Sequence, residues 1–207
     1  MSNQHSSEAH VILYLGKTLE LRFPLILILG REYNSSSINN GKGDVIYKVA
    51  DYDFNKSRHS TFWNRAYGFV GRCYGEAIKR HCRNKEASPI IFSNSLPHAI
   101  KDVISTPKKD RLRMQIPEQS ISSHVENMFN QHIINRVRIV VLSGIGDNSI
   151  YGKATSKIIT KCKERKIPYF AMEYLASRLS NEKIDGSVSQ ADKERIRNIV
   201  KSFYEVS

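Results

Sequence analysis

At 207 residues, with 40% hydrophobic and 25% charged side chains, the chain has the makeup of one globular domain able to bury a substantial core. Its 32 Lys and Arg outweigh 20 Asp and Glu for a net charge of +12, so a polyanion is the expected partner, nucleic acid first and an anionic membrane surface second. No apolar run approaches the roughly 18 residues of a membrane span, and three cysteines without CxxC spacing (Cys73, Cys82, Cys162) argue for reduced thiols over a disulfide framework or a zinc site.

Residues 1–9 are polar and lack the basic-then-apolar layout of a secretion signal, which predicts a disordered lead-in, a cytoplasmic protein and a single domain over residues 10–207. His10 to Phe23 mixes apolar residues with Lys17, Glu20 and Arg22, a helix or an irregular cover before the first strand. Leu25 to Leu29 are five consecutive branched aliphatics between Pro24 and Gly30. That run predicts a strand buried on both faces, the mark of a central strand in a parallel sheet. It leads into Gly30, then Glu32, then the turn formers Asn34, Ser35, Ser36 and Ser37. Ligands of open α/β sheets bind just beyond the carboxyl ends of strands, so Glu32 stands where chemistry is done. The plain alternative is a solvated turn with Glu32 on its surface.

Asn34 to His59 is a long irregular loop with Tyr47, Tyr52 and Phe54 among Lys48, Lys56 and Arg58; a loop of this length in a compact domain is functional or disordered. Ser60 reads as the N-cap of a helix that carries Phe62, Ala66, Phe69, Val70, Cys73 and Ala77 on one face to about Cys82. Ala87 to Asn94 is a second buried strand, and Ser105 to Pro117 a basic, proline-flanked connection. Glu118 to Asn135 predicts a helix with Ile121, Val125, Met128, Phe129, His132 and Ile133 turned inward. Arg138 to Gly144 is a third strand, and Ile150 to Lys166 a basic amphipathic helix. Pro168 to Met172 is a fourth strand, and Ser187 to Tyr204 a closing helix.

Strands alternating with helices predict an α/β fold: a three-layer αβα sandwich on a central four-stranded, mainly parallel sheet. Polar residues close all four strands, namely Glu32, Asn94, Ser143 with Asp147, and Ser177, and on one sheet edge they describe a single cleft. Gly144-Ile145-Gly146 opens toward a helix but has neither a third glycine nor a Walker lysine, so it is a weak nucleotide signal.

Four patches in order resemble the uracil-DNA glycosylase superfamily, nearest its mismatch-specific (thymine/uracil) branch. Gly30-Arg31-Glu32-Tyr33-Asn34 stands where that family has a post-strand motif such as GINPG, GQDPY or GEAPG. His59-Ser60-Thr61-Phe62-Trp63-Asn64 is similar to its NRFW helix start. Phe92-Ser93-Asn94-Ser95-Leu96-Pro97 matches a strand-end segment that often contributes a base-reading asparagine. Leu175-Ala176-Ser177-Arg178-Leu179-Ser180 resembles its NPSGLS or HPSPLS loop. The departures are Tyr33 in place of proline, Glu32 in place of Asp or Asn, and Leu175 in place of the His or Asn that bonds a base carbonyl.

The resemblance implies hydrolysis of an N-glycosidic bond in DNA after the nucleotide is swung out of the stack, leaving an abasic site. Glu32 is the implied catalytic carboxylate, set against an oxocarbenium-like sugar and a water. Gly30, Tyr33, Asn34, Tyr52, Phe54 and Asn94 are the implied base pocket, with Phe54 first and Tyr52 second as the aromatic floor. Asn94 reads a pyrimidine edge or caps its strand. Ser177, Arg178 and Leu179, with Arg58 and His59, are the implied DNA contacts; Leu179 is a wedge into the stack or an ordinary loop leucine. Lys153, Lys157, Lys161 and Lys163 read as a solvated helix face that offers non-specific phosphate contacts.

The departures imply a bulky or modified pyrimidine in place of plain uracil, such as the glucosylated hydroxymethylcytosine of phage genomes, with either antiviral defence or DNA repair as the setting. No metal, no cofactor and no obligatory protein partner is expected. Two rival readings stay open: a nucleoside- or nucleotide-processing α/β hydrolase, and a non-catalytic DNA-binding module.

Overall fold

The computed structural model describes residues 13–14, 24–30, 61–75, 89–96, 117–145, 151–175 and 177–204. Its centre is a sheet of β1 (Leu13–Tyr14), β2 (Leu25–Gly30), β3 (Ile90–Asn94), β4 (Val137–Ser143) and β5 (Tyr169–Met172), in the order β1-β3-β2-β4-β5. β3, β2, β4 and β5 are mutually parallel, and β1 is an antiparallel edge strand on β3. The helices are α1 (Thr61–Tyr74), α2 (Glu118–Asn130), α3 (Gly152–Glu164), α4 (Asn181–Gly186) and α5 (Gln190–Tyr204), with a 3-10 turn at His132–Arg136.

β2 is central because every side chain of Leu25 to Leu29 is fully buried, with no polar alternation to mark a wet face. The pleat sends Leu25, Leu27 and Leu29 to one side, where they pack with Ile121, Val125, Met128 and Phe129 of α2 and Ala154, Ile158 and Cys162 of α3. Ile26 and Ile28 go to the other side, against Ala66, Phe69 and Val70 of α1, Ile184 of α4, and Ile196, Ile199 and Val200 of α5. Two cores on either face of one sheet make the three-layer αβα sandwich. Burying each such aliphatic contributes about 1.5–3 kcal/mol, so β2 alone is a large part of the driving force.

Several elements differ from the sequence reading. Leu13–Tyr14 is a strand where a helix or irregular cover was expected, fixed by pairing with Ile91 and Phe92. α1 ends at Tyr74 instead of Cys82, because Gly75 takes φ +131 and its N–H closes back onto the Gly71 carbonyl, a glycine helix stop. α2 stops at Asn130, since Gln131 is extended (ψ 134). The break turns the following residues, so Ile133 and Ile134 are buried while His132 is exposed. The inward histidine is His124 instead, on the same stripe as Ile121, Val125 and Met128. α4 is an additional short helix, capped by the Ser180 hydroxyl accepting the Lys183 N–H at 3.4 Å. In β4, Arg138 bulges out between Val137, paired with Leu25, and Ile139, paired with Ile26, which is why one residue of this buried strand is exposed.

The lysines of α3 present the expected solvated face, with Lys153 and Lys163 exposed and Lys157 and Lys161 part-exposed, and three of them also meet carboxylates there. Lys157 lies 3.2 Å and Lys153 3.9 Å from the Glu118 carboxylate, and Lys161 lies 2.6 Å from Glu126 and 3.0 Å from Glu164. Hydrogen bonding from Lys157 holds the Glu118 carboxyl below its usual range, and the Glu126 and Glu164 carboxylates raise Lys161. These ion pairs join α3 to α2, and only Lys163 of the four is left exposed without such a pair among the described residues. Among the described residues no helix is long and apolar enough to cross a membrane.

Cys73 and Cys162 are free and buried, as reduced thiols should be. Burial pushes Cys73 up to about 11, helped by nearby Asp185, and burial alone pushes Cys162 up to about 12. An unfolded thiol ionises near 9, so above that pH the unfolded chain binds fewer protons than the folded one. The contribution to stability is therefore complete below pH 9 and is lost as pH rises toward 11–12. With Cys82, which lies outside the described residues, changed to Ser, a thiol reagent at pH 8 is expected to label neither cysteine until denaturant is added. Labelling of the folded chain at the rate of a free thiol would contradict their burial.

Candidate functional site

Parallel pairing brings the carboxyl ends of four strands to one edge: Gly30 is level with Asn94, Leu29 with Leu142, and Ser143 with Met172. The chain leaves β2 for β3 on one side, then crosses back to β4 and β5 on the other. The strand order thus reverses between β2 and β4, the position at which open α/β sheets leave a ligand crevice.

Both strands flanking this switch point end in a glycine that an aromatic ring covers. A Cβ on Gly30 would stand 3.0 Å from Asn94 Oδ1 and 3.3 Å from Phe62 Cζ. Gly144 follows β4 with φ +67, and a Cβ there would meet the Tyr174 ring, with Cδ2 at 2.8 Å. The two rings touch each other, with centroids 6.0 Å apart at 35°, and Phe62 also sits edge-on to Phe92 at 6.1 Å. Asn94, half-buried, and Phe62 therefore converge on one point above the end of β2. An amide offers a donor and an acceptor, and a ring offers a π-face; together they are what a planar heterocycle needs.

The Asn94 peptide is held from both sides. Ser95 N–H donates to the Gly30 carbonyl at 3.0 Å, and His124 Nε2 meets the Asn94 carbonyl at 2.8 Å. A carbonyl only accepts, so His124 carries its proton on Nε2 in this contact. His124 is 1% exposed, which makes it a support behind the strand end.

Beyond β5, Ser143 Oγ accepts the Leu175 N–H at 2.9 Å, and Ser177 N–H donates to the Tyr174 carbonyl at 2.8 Å. Arg65 of α1 donates from one terminal nitrogen to the carbonyls of Ser177 (2.6 Å), Leu179 (3.0 Å) and Leu175 (3.4 Å). Ser177 is half-buried and its hydroxyl takes the Leu179 N–H, while Arg178 is exposed. Leu179 is half-buried against the α1/α5 core. Leu175 is fully buried in that core, so its side chain is not a pocket group.

Of the residues singled out in the sequence, Gly30 and Asn94 meet, and Ser177, Arg178 and Leu179 form the loop at the same sheet edge. Glu32, Tyr33, Asn34, Tyr52, Phe54, Arg58 and His59 lie outside the described residues, as does Asp147. Phe62 packs against the α1/α5 core, as the sequence places it, and also reaches Gly30; Tyr174, Arg65 and His124 were missed. The apolar spacing of α2 marks His124 as inward; nothing local marks Arg65 or Tyr174. Among the described residues no group of three His, Cys, Asp or Glu side chains could hold a metal ion.

Fold and site define a doubly wound α/β protein with an aromatic- and amide-lined switch point. Comparison with family models, with curated proteins and with solved structures gives no match to the chain.

The two covered glycines make a contrast with Gly71, in the last turn of α1, where no described residue comes within 4 Å of a Cβ. Gly144→Ala forces a left-handed backbone, a strain of about 1–3 kcal/mol, and displaces Tyr174 as well. Gly71→Ala removes a flexible residue from a helix and should add roughly 0.5–1 kcal/mol. Denaturant unfolding should move the two midpoints in opposite directions. A Gly144→Ala chain as stable as the original would contradict the close approach of Tyr174.

Proposed function

We propose that the chain is a DNA glycosylase: it takes an extruded pyrimidine nucleotide into the switch point, hydrolyses its N-glycosidic bond and leaves an abasic site. The observation that carries this reading is the convergence of the Asn94 amide and the Phe62 ring over Gly30, two residues before Glu32 in the chain. A flipped base needs one aromatic face, which contributes roughly 1–3 kcal/mol, and one polar group to read its edge. The acid two residues after Gly30 in the chain is assigned the third requirement, a negative charge beside the sugar.

In this scheme the bond from C1′ to the base nitrogen breaks as the sugar takes on oxocarbenium character, and Glu32 stabilises that cation. A water aligned by the same carboxylate bonds to C1′ and gives up its proton, and the departing base is protonated in turn. The peptide held by His124 and the Gly30 carbonyl keeps Asn94 rigid, so its hydrogen bonds need no reorganisation during the reaction.

The base is a bulky or modified pyrimidine, of the kind exemplified by glucosylated hydroxymethylcytosine. Supporting this, Leu175 stands where the resembling family has a base-bonding His or Asn, and its side chain is spent in the core. The same reading sets the enzyme in the cytoplasm, where the buried thiols stay reduced.

The test is abasic-site formation on duplexes carrying glucosylated hydroxymethylcytosine, uracil or a mismatch. The chain should act on the first in preference, and Glu32→Gln should lower the rate by about 10²–10³ with DNA affinity retained. Affinity should fall steeply as salt rises. Full activity of Glu32→Gln would remove the assigned carboxylate, release of uracil alone would end the modified-base reading, and turnover of free nucleosides without salt dependence would favour a nucleoside hydrolase.

A further inference from the structure

The structure assigns Arg65 a role as the positioning residue of the loop at Leu175–Leu179: it holds that loop in the shape that meets the DNA backbone. This deepens the glycosylase reading and rests on it for the partner. Arg65 stands on α1, more than a hundred residues from the loop in sequence, yet one guanidinium nitrogen faces three of its carbonyls. That nitrogen carries two protons, so Ser177 and Leu179 take one each at 2.6 and 3.0 Å, and Leu175 at 3.4 Å shares.

Three carbonyl dipoles from alternate residues repel one another unless a cation sits among them. A neutral side chain supplies no such cation, and the ammonium of lysine stands one bond nearer the helix than the terminal nitrogen that reaches all three. Ordinary tethering of α1 is done elsewhere. Arg72, two turns on along α1, forms a two-pronged pair with Asp185 of α4 at 2.6 and 2.8 Å. Among the described residues Arg65 makes no ion pair at all; its charge is committed to loop backbone.

The loop's exposure follows the same alternation. Leu175 is buried, Ser177 and Leu179 are half-buried, and Arg178 between the last two is exposed. Drawing the Ser177 and Leu179 carbonyls inward leaves the Arg178 guanidinium outside, beside the switch point, in position for a phosphate. A loop fixed beforehand spares the ordering entropy that a slack one loses on binding DNA. Arg65 should therefore govern the affinity for DNA and not the rate of bond cleavage.

The test uses full-length Arg65→Lys, with Arg178→Ala as the companion. In Arg65→Lys the amides of Ser177 and Leu179 should exchange hydrogen about tenfold faster, with those of β4 unchanged. KM for DNA should rise about tenfold while kcat stays within about twofold. Arg178→Ala should raise KM similarly and leave loop exchange as it was. Unchanged loop exchange in Arg65→Lys overturns the assignment, and so does faster exchange with unchanged KM, or a fall in kcat alone. If the unaltered chain binds duplex DNA but releases no base, the glycosylase reading fails and the duplex Kd reads the clamp in place of KM; a chain that binds no DNA ends both.

Discussion

β2 has no wet face. Five aliphatic side chains in sequence, each fully buried, oblige the chain to supply a helical layer above and below, and parallel neighbours on both edges. That demand fixes the position of everything chemical. A strand buried on all sides meets solvent only at its ends, and the carboxyl end is where the chain order reverses. Gly30 lies there because the Asn94 amide and the Phe62 ring occupy the space in which any side chain would sit. The hydrophobic constraint that builds the sheet thus also sets the strand end on which Asn94 and Phe62 converge.

That sheet edge is held by polar contacts that act at a distance along the chain. His124 supports the Asn94 peptide from α2, Ser143 anchors Leu175 from β4, and Arg65 gathers the next carbonyls from α1. Each is a donor or acceptor that would be costly to bury alone and is satisfied by the backbone of a different element. The net positive charge has to be read with the same care. Lys153, Lys157 and Lys161 are paired with carboxylates of α2 and α3, and Arg72, Arg195 and Arg197 with Asp185, Asp192 and Glu194. Such pairs cancel in the net charge of +12 and leave the surplus itself on unpaired cations, of which exposed Arg178 at the switch-point edge is one among the described residues.

The four parallel strands were legible because each is a short apolar run ended by glycine or polar residues, and Leu25–Gly30 is the clearest of them. Helix faces were legible from spacing, down to Phe69, Val70 and Cys73 in α1. What was not legible depends on tertiary contact. Leu13–Tyr14 is a strand only because Ile91 and Phe92 present a free edge to it. The break at Gln131 has no proline or glycine to announce it, and it exchanged His132 for His124 as the buried histidine. Tyr174 and Arg65 join the site through contacts with Gly144 and with the Leu175–Leu179 loop, which no local pattern encodes. Ser180, by contrast, is an ordinary N-cap signal for α4.

The most direct test of the account is the crystal structure of Glu32→Gln bound to a duplex that carries one glucosylated hydroxymethylcytosine. The account predicts that base extruded at the carboxyl edge of β2 and β4, its ring against Phe62 and its polar edge on the Asn94 amide. A base still stacked in the duplex, or bound at the amino edge of the sheet with Phe62 and Asn94 untouched, would contradict it.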